Sequence, residues 1–194
     1  MIFSTQFLND SRTIINSIDV NEIERMVDII VETRNNKGRL FVVGSGGGAG
    51  NASHAVCDFR KLCNIEAYAP YDNISELTAR VNDEGWEVSL VNWLKVSNLK
   101  KDDCVFVLSV GGGDDKEKIS MNIVNAIQYA NEMKSNIIGI VGKNGGSTKI
   151  FGDAVVIIPT INIDYITPQT EGFQAIIWHL LVSHPKLKIN NTIW

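Results

Sequence analysis

Arg39-Leu40-Phe41-Val42-Val43-Gly44-Ser45-Gly46-Gly47-Gly48-Ala49-Gly50-Asn51 is the stretch from which the fold of this 194-residue chain is read. A short apolar run that ends in glycines predicts a buried parallel strand feeding a turn, with a helix opening behind the glycines. Upstream, the cluster Asn35-Asn36-Lys37-Gly38 breaks a helical pattern. That pattern runs from about Phe7 to Arg34, with Ile14, Ile18, Ile23, Met26 and Ile30 mostly at helical spacing, and predicts one or two amphipathic helices.

Downstream, the strand-then-helix unit recurs. Cys104-Val105-Phe106-Val107-Leu108 runs into glycines and then a helical stretch from Ser120 to Lys134. Ile137-Ile138-Gly139-Ile140-Val141 leads into another glycine loop, and Ala154 to Pro159 supplies one more buried strand. A weaker strand falls at Ile65-Glu66-Ala67-Tyr68. The last long helix, roughly Gln169 to Ser183, is stopped by His184-Pro185. Continuous apolar strands alternating with helices predict an α/β fold. The expected architecture is a three-layer, doubly wound (flavodoxin-like) sheet of about five parallel strands with helices on both faces. One domain is expected over 1–194, with N-terminal helices in 1–35 and the α/β core in 36–194.

Composition narrows the function classes. Apolar residues make up 44% and charged residues 21%, which is ordinary for a soluble globular protein. A net charge of −4 without a dense Lys/Arg cluster argues against nucleic acid or an anionic membrane as the main partner. Cys57, Cys63 and Cys104 form no CxxC pair and leave an odd count, which fits a reducing compartment. No apolar run approaches a membrane span, and Met1 to Gln6 lacks the basic start of an export signal, so a cytoplasmic location is expected.

In an open parallel sheet, ligands bind beyond the carboxyl ends of the strands, so the loops after Val43, Leu108 and Val141 are the places to look. All three are rich in glycine. The first can bring backbone amides close to an anion, or can simply pack a strand tightly against a helix. No acidic residue ends a second strand about 20 residues on, so no nucleotide cofactor is expected. The second loop, Ser109 to Asp115, carries two carboxylates, Asp114 and Asp115, that could cap a turn or face solvent. Ser120 is placed to cap the following helix, or to meet a phosphate with its hydroxyl.

His54 and Asp58 stand at i and i+4 on the helix after the first loop and so share a face. Glu171 and His179 are eight residues apart, about two turns, and share a face of the last helix. If the two helices converge, these two imidazoles and two carboxylates would suit Zn²⁺ or a related divalent ion. His179 sits among Phe173, Ile176, Ile177, Trp178 and Leu180, which predicts a position against protein or at a subunit contact.

Seven ordered segments resemble the SIS (sugar isomerase) family, and within it the heptose-phosphate isomerases, over roughly residues 7 to 183. Gly44-Ser45-Gly46-Gly47-Gly48 resembles the family's Gly-Asn-Gly-Gly-Ser loop, and His54 to Phe59 its His-x-x-x-Glu-Leu helix. Asn82-Asp83-Glu84-Gly85-Trp86 resembles Asn-Asp-x-Gly-aromatic. Ser109-Val110-Gly111-Gly112 resembles the Ser-Thr-Ser-Gly phosphate loop, followed by Ser120-Met121-Asn122 in place of Ser-x-Asn. Ile138 to Gly142, Gly145-Gly146, and Glu171 through His179 complete the match.

The resemblance implies a zinc-binding homotetramer with sites at subunit interfaces, which isomerises an aldose/ketose phosphate through an enediol. Sedoheptulose 7-phosphate is the implied substrate. Catalytic roles fall on Asp58 and His179, and metal-ligand roles on His54, Asp58, Glu171 and His179. Substrate and phosphate contacts fall on Ser45, Gly47, Gly48, Asn51, Asp83, Ser109, Ser120 and Glu171. The chain departs from the family pattern at Asp58 (for Glu), Glu171 (for Gln) and Gly111 (for Ser), and in the added Asp114-Asp115. Those departures leave open a non-catalytic SIS protein that binds a phosphosugar as a regulator or assembly factor.

Overall fold

The computed structural model describes residues 2–192. Two helices lead, α1 (Phe3–Ser17) and α2 (Val20–Asn35), the second capped by the Asp19 carboxylate accepting from the Asn21 amide. The core follows as β1 (Leu40–Gly44), α3 (Gly47–Cys63), β2 (Ala67–Tyr68), α4 (Ile74–Asp83) and α5 (Trp86–Val96). It continues with β3 (Cys104–Ser109), α6 (Met121–Glu132), β4 (Asn136–Val141), α7 (Gly146–Phe151), β5 (Ala154–Ile157), a short 3₁₀ turn, and α8 (Ile166–Ser183). The five strands are all parallel, in the order β2-β1-β3-β4-β5. None of the helices in the described residues is long and apolar enough to cross a membrane.

Side chains alternate across a strand, so each strand feeds two cores. Leu40, Val42, Phe106 and Ile138 pack with α2, α3 and α8, whereas Phe41, Val43, Val105 and Ile137 pack with α5 and α6. The result is the expected three-layer sandwich. At the end of the sheet away from the strand-exit loops, the fully buried Asp103 accepts from Arg39 Nη2 at 2.7 Å and from the amides of Arg39 and Lys100. These bonds hold the starts of β1 and β3 level.

Three helices, α4, α5 and the short α7, have no counterpart in the sequence reading, which assigns no element to 74–96 and only a glycine loop before Ala154. Gly85 (φ 97°) splits the first of these segments, so neither half is long enough to show a clean period. α5 is fixed by tertiary packing, burying Leu90, Trp93 and Leu94, with Trp93 edge-on to Phe41 at 5.4 Å. α4 buries none of its residues.

Candidate active site at the carboxyl ends of the strands

β1 ends in the fully buried Gly44, whose N–H donates to the Tyr71 hydroxyl at 2.9 Å while that hydroxyl donates back to the Gly44 carbonyl. Burial pushes the Tyr71 phenol far above its ordinary range, so it stays a neutral clamp on the strand exit. α3 then starts against the sheet: a β-carbon at Gly48 would overlap the carbonyl of Leu108 in β3. Close helix-to-strand approach is thus a real requirement of the first glycine loop.

α3 packs against α8 through a polar seam. Asn51 Nδ2 donates to the Glu171 carbonyl at 3.0 Å and to Gln174 Oε1 at 3.2 Å, and its Oδ1 accepts from Trp178 Nε1 at 3.5 Å. Gln174, fully buried, donates onward to the Ile140 carbonyl in β4 at 3.1 Å. This seam fixes the rotation of α8 relative to α3. Asn51, expected at sugar hydroxyls, therefore spends its carboxamide on α8.

One turn further along both helices, His54, Asp58 and His179 come together, with one potential ligand atom from each within 4.8 Å of the others. A tetrahedron of 2.1 Å bonds needs donors about 3.4 Å apart, so small side-chain rotations would close the trio on an ion. His54 Nε2 lies 3.9 Å from Asp58 Oδ2. His179 Nδ1 lies 2.7 Å from the Ala175 carbonyl; a carbonyl can only accept, so this nitrogen carries a proton, and in the neutral ring Nε2 is the one with the lone pair. Trp178, fully buried, stacks on His179 at 3.4 Å and stands edge-on to His54 at 4.7 Å, a platform under both imidazoles.

His179 is itself exposed in the chain, between exposed Ile176 and Leu180 on the outer face of α8. Of the two expected positions, against protein or at a subunit contact, the fold of the chain does not supply the first. α8 is apolar on both faces, and its second apolar face carries the histidine outward.

Glu171 stands apart from the trio. Eight residues of helix put its backbone about 12 Å along the axis from His179, and its carboxylate lies against the first loop. A β-carbon at Gly47 would overlap it, and one at Gly46 would sit 3.9 Å from Oε1. Of the four metal-ligand candidates, the structure brings together three.

On the other side of the first loop, Ser45 Oγ accepts from Asn122 Nδ2 at 3.2 Å. Asn122 is fully buried at the start of α6, and its Oδ1 has no partner in the structure. Ser109 Oγ accepts from the Gly112 amide at 3.1 Å, and Gly112 (φ 72°) lets the loop turn back so that its carbonyl receives Thr148 Oγ1 at 2.8 Å. Ser120 does precede α6, but its left-handed backbone (φ 53°) leaves the hydroxyl without a capping bond. The two loop carboxylates hold local structure: Asp114 Oδ1 accepts from the amides of Lys116 and Glu117, and Asp115 pairs with Lys118 at 3.0 Å. Asp83 ends the surface helix α4, its carboxylate bonded to Asn82 at 2.7 Å.

The two buried cysteines offer no thiol chemistry. Burial pushes Cys63 up to about 11 and Cys104 higher still, so both stay protonated at neutral pH.

Comparison with known proteins places this geometry. Residues 6–142 match the model of the SIS domain. The chain belongs to the SIS domain family. Among curated relatives of this SIS chain, a phosphoheptose isomerase of Helicobacter pylori is 24% identical over 164 residues, covering 82% of this chain and 80% of that protein. A probable phosphoheptose isomerase of Thermoplasma volcanium is 31% identical over 147 residues, 73% of this chain and 71% of its own. The solved phosphoheptose isomerase of Neisseria gonorrhoeae superposes with a TM-score of 0.78 at 19% identity, covering 93% of this chain and 94% of that one. The shared fold fits the five-stranded parallel sheet described above.

The sequence reading passed over Trp178, Gln174, Asn122 and Tyr71. Asn122 lay inside a quoted motif and Trp178 beside a named histidine. Tyr71 carried no signal, because its role rests on the backbone of a strand 27 residues away.

Proposed function

We propose that this SIS protein is an aldose–ketose isomerase acting on a sugar phosphate, with a heptulose 7-phosphate as the favoured substrate. The observation that carries this reading is the convergence of His54, Asp58 and His179 beside the glycine loops that the sheet presents at its ligand end. Two nitrogen donors and one carboxylate suit a divalent ion such as Zn²⁺. When bound, such an ion supplies Lewis-acid polarisation of the substrate carbonyl.

Isomerisation of a ketose moves one proton from C1 to C2 and one from the C1 oxygen to the C2 oxygen, through an enediol. The family motif gives the carbon-bound proton to position 58. One carboxylate serves poorly as both tight ligand and free base, and Asp58 belongs to the trio. Either Asp58 and the ion part during the proton transfer, or Glu171, which lies outside the trio and against Gly46 and Gly47, shares the work. His179 offers a single free nitrogen, Nε2, which serves an ion when one is bound and the oxygen proton when none is. Ser45, Ser109 and Ser120 provide hydroxyls, and the backbone at Gly47 and Gly48 provides close approach, for the phosphate and sugar ends. Asp83 reaches substrate only through a neighbouring subunit or a shift of α4. A homo-oligomer is consistent with the exposed Ile176 and Leu180 flanking His179 and with the unburied α4.

The test is turnover. The purified protein, with and without Zn²⁺, is mixed with C5 to C7 ketose phosphates and aldose formation is followed. Conversion of a heptulose phosphate is expected. A zinc-loaded protein inert to the whole panel would sink the isomerase reading, and binding without turnover would instead identify a phosphosugar-binding module.

A further inference from the structure

Lys143 follows β4 in the third strand-exit loop and takes a left-handed backbone (φ 51°). Its Cδ lies 3.9 Å from where a β-carbon of Gly111 would stand, so the stem of the side chain crosses the β3 loop. It does so over the one loop position where the serine of the family motif has been replaced by glycine. Gly111 and Lys143, with Gly113, Asp114, Ile119 and Asn144, line a cavity of about 370 Å³.

The charges around that cavity are unevenly spent. Asp114 Oδ1 accepts from two backbone amides, and Asp115 is paired with Lys118. Among the described residues no carboxylate forms an ion pair with Lys143. Close by in the same loop, Ser109 supplies a hydroxyl already oriented by the Gly112 amide, and Ser120 opens α6 with its hydroxyl uncapped. At the start of that helix the buried Asn122, whose Oδ1 has no partner, bonds the first loop through Ser45 and so ties the loops together behind the cavity. An anionic group on a ligand seated in the cavity meets the need of the lysine.

We propose that Lys143 supplies the positive charge that holds the phosphate of the ligand at the β3 loop, taking over from the hydroxyl lost at Gly111. The assignment rests on the phosphosugar reading above. An ammonium on a flexible stem attracts phosphate as a point charge without demanding the geometry that two serines would impose. It therefore tolerates a longer loop, which is what Asp114 and Asp115 create here. The lysine is a binding residue in this scheme and takes no part in proton transfer.

The experiment is a titration of the full-length protein with a heptulose 7-phosphate and with inorganic phosphate, comparing wild type, Lys143→Met, Lys143→Arg and Lys149→Met. Lys143→Met is expected to weaken the sugar phosphate at least tenfold and to abolish competition by inorganic phosphate, with an unchanged melting temperature. Lys143→Arg should recover most of the affinity. Lys149→Met, on α7, should bind as wild type does. Wild-type binding that Lys143→Met leaves intact overturns the lysine assignment alone. Equal weakening by Lys149→Met overturns it too, because the effect would then be general charge. A wild type that binds neither ligand overturns the phosphosugar reading together with the lysine.

Discussion

The two ends of the candidate site are built by different means. At the α3/α8 end, side chains on rigid helices are aimed by other side chains: Asn51 and Gln174 set the helix rotation, and Trp178 supports His54 and His179. At the β3/β4 end, the backbone does the aiming, with Gly112 turned back onto Thr148 and Lys143 swung across Gly111. On the proposed reading the first end serves proton transfer or an ion, tasks in which a misplacement of 1 Å is costly, and its atoms already lie within 4.8 Å of one another. On the same reading the second has only to attract and orient an anion, a task that tolerates slack. The chain departs from the family pattern accordingly: conservative swaps of oxygen donors at the first end, loss of a serine and added residues at the second.

This contrast can be broken experimentally. The largest effect is expected from His179→Ala, a loss of turnover of about 10³-fold or more, since it removes both a trio member and the oxygen-proton carrier. Circular dichroism and melting should be near wild type because the residue is exposed; unchanged turnover would remove it from the chemistry. Next, Glu171→Gln, which restores the residue of the family pattern, should leave zinc content at the wild-type level by metal analysis; a fall in kcat of about 10²-fold would show that Glu171 shares the proton transfer. Asp58→Asn should do the reverse, losing zinc. If Glu171→Gln also lost the metal, the trio would have to be redrawn as a quartet.

Gly48→Ala probes the scaffold beneath the first end. The added methyl meets the Leu108 carbonyl, and a loss of about 1–3 kcal/mol in chemical denaturation is expected. The smallest effect belongs to the second end. Asp114→Ala removes a turn cap and should cost about 1 kcal/mol, with turnover within about threefold of wild type. A collapse of activity there would show that the acidic loop acts on substrate, and the distinction between the two ends would fail.

Legibility in the sequence followed the same division. β1, β3, β4 and β5 read directly, because strands buried on both faces are continuous apolar runs. β2 is two residues long and was the faintest. His54 and Asp58 were legible because i, i+4 spacing is local. Glu171 and His179 share a face, as read, yet the length of two turns lets each serve a different neighbour, and only the packing of α8 on α3 decides which. For His179 the sequence left two positions open, against protein or at a subunit contact, because an apolar context predicts burial within the chain only when a helix has one apolar face. Lys143 had no local signal at all: its meaning comes from Gly111, 32 positions away in sequence and brought near by the β3/β4 pairing.

The indole of Trp178 stands between two imidazoles, stacked on one and edge-on to the other. Excited indole passes an electron readily to a protonated imidazole, so its emission reports the charge on its neighbours. The residue that steadies the histidines is thereby also a lamp that reports on them without a substrate.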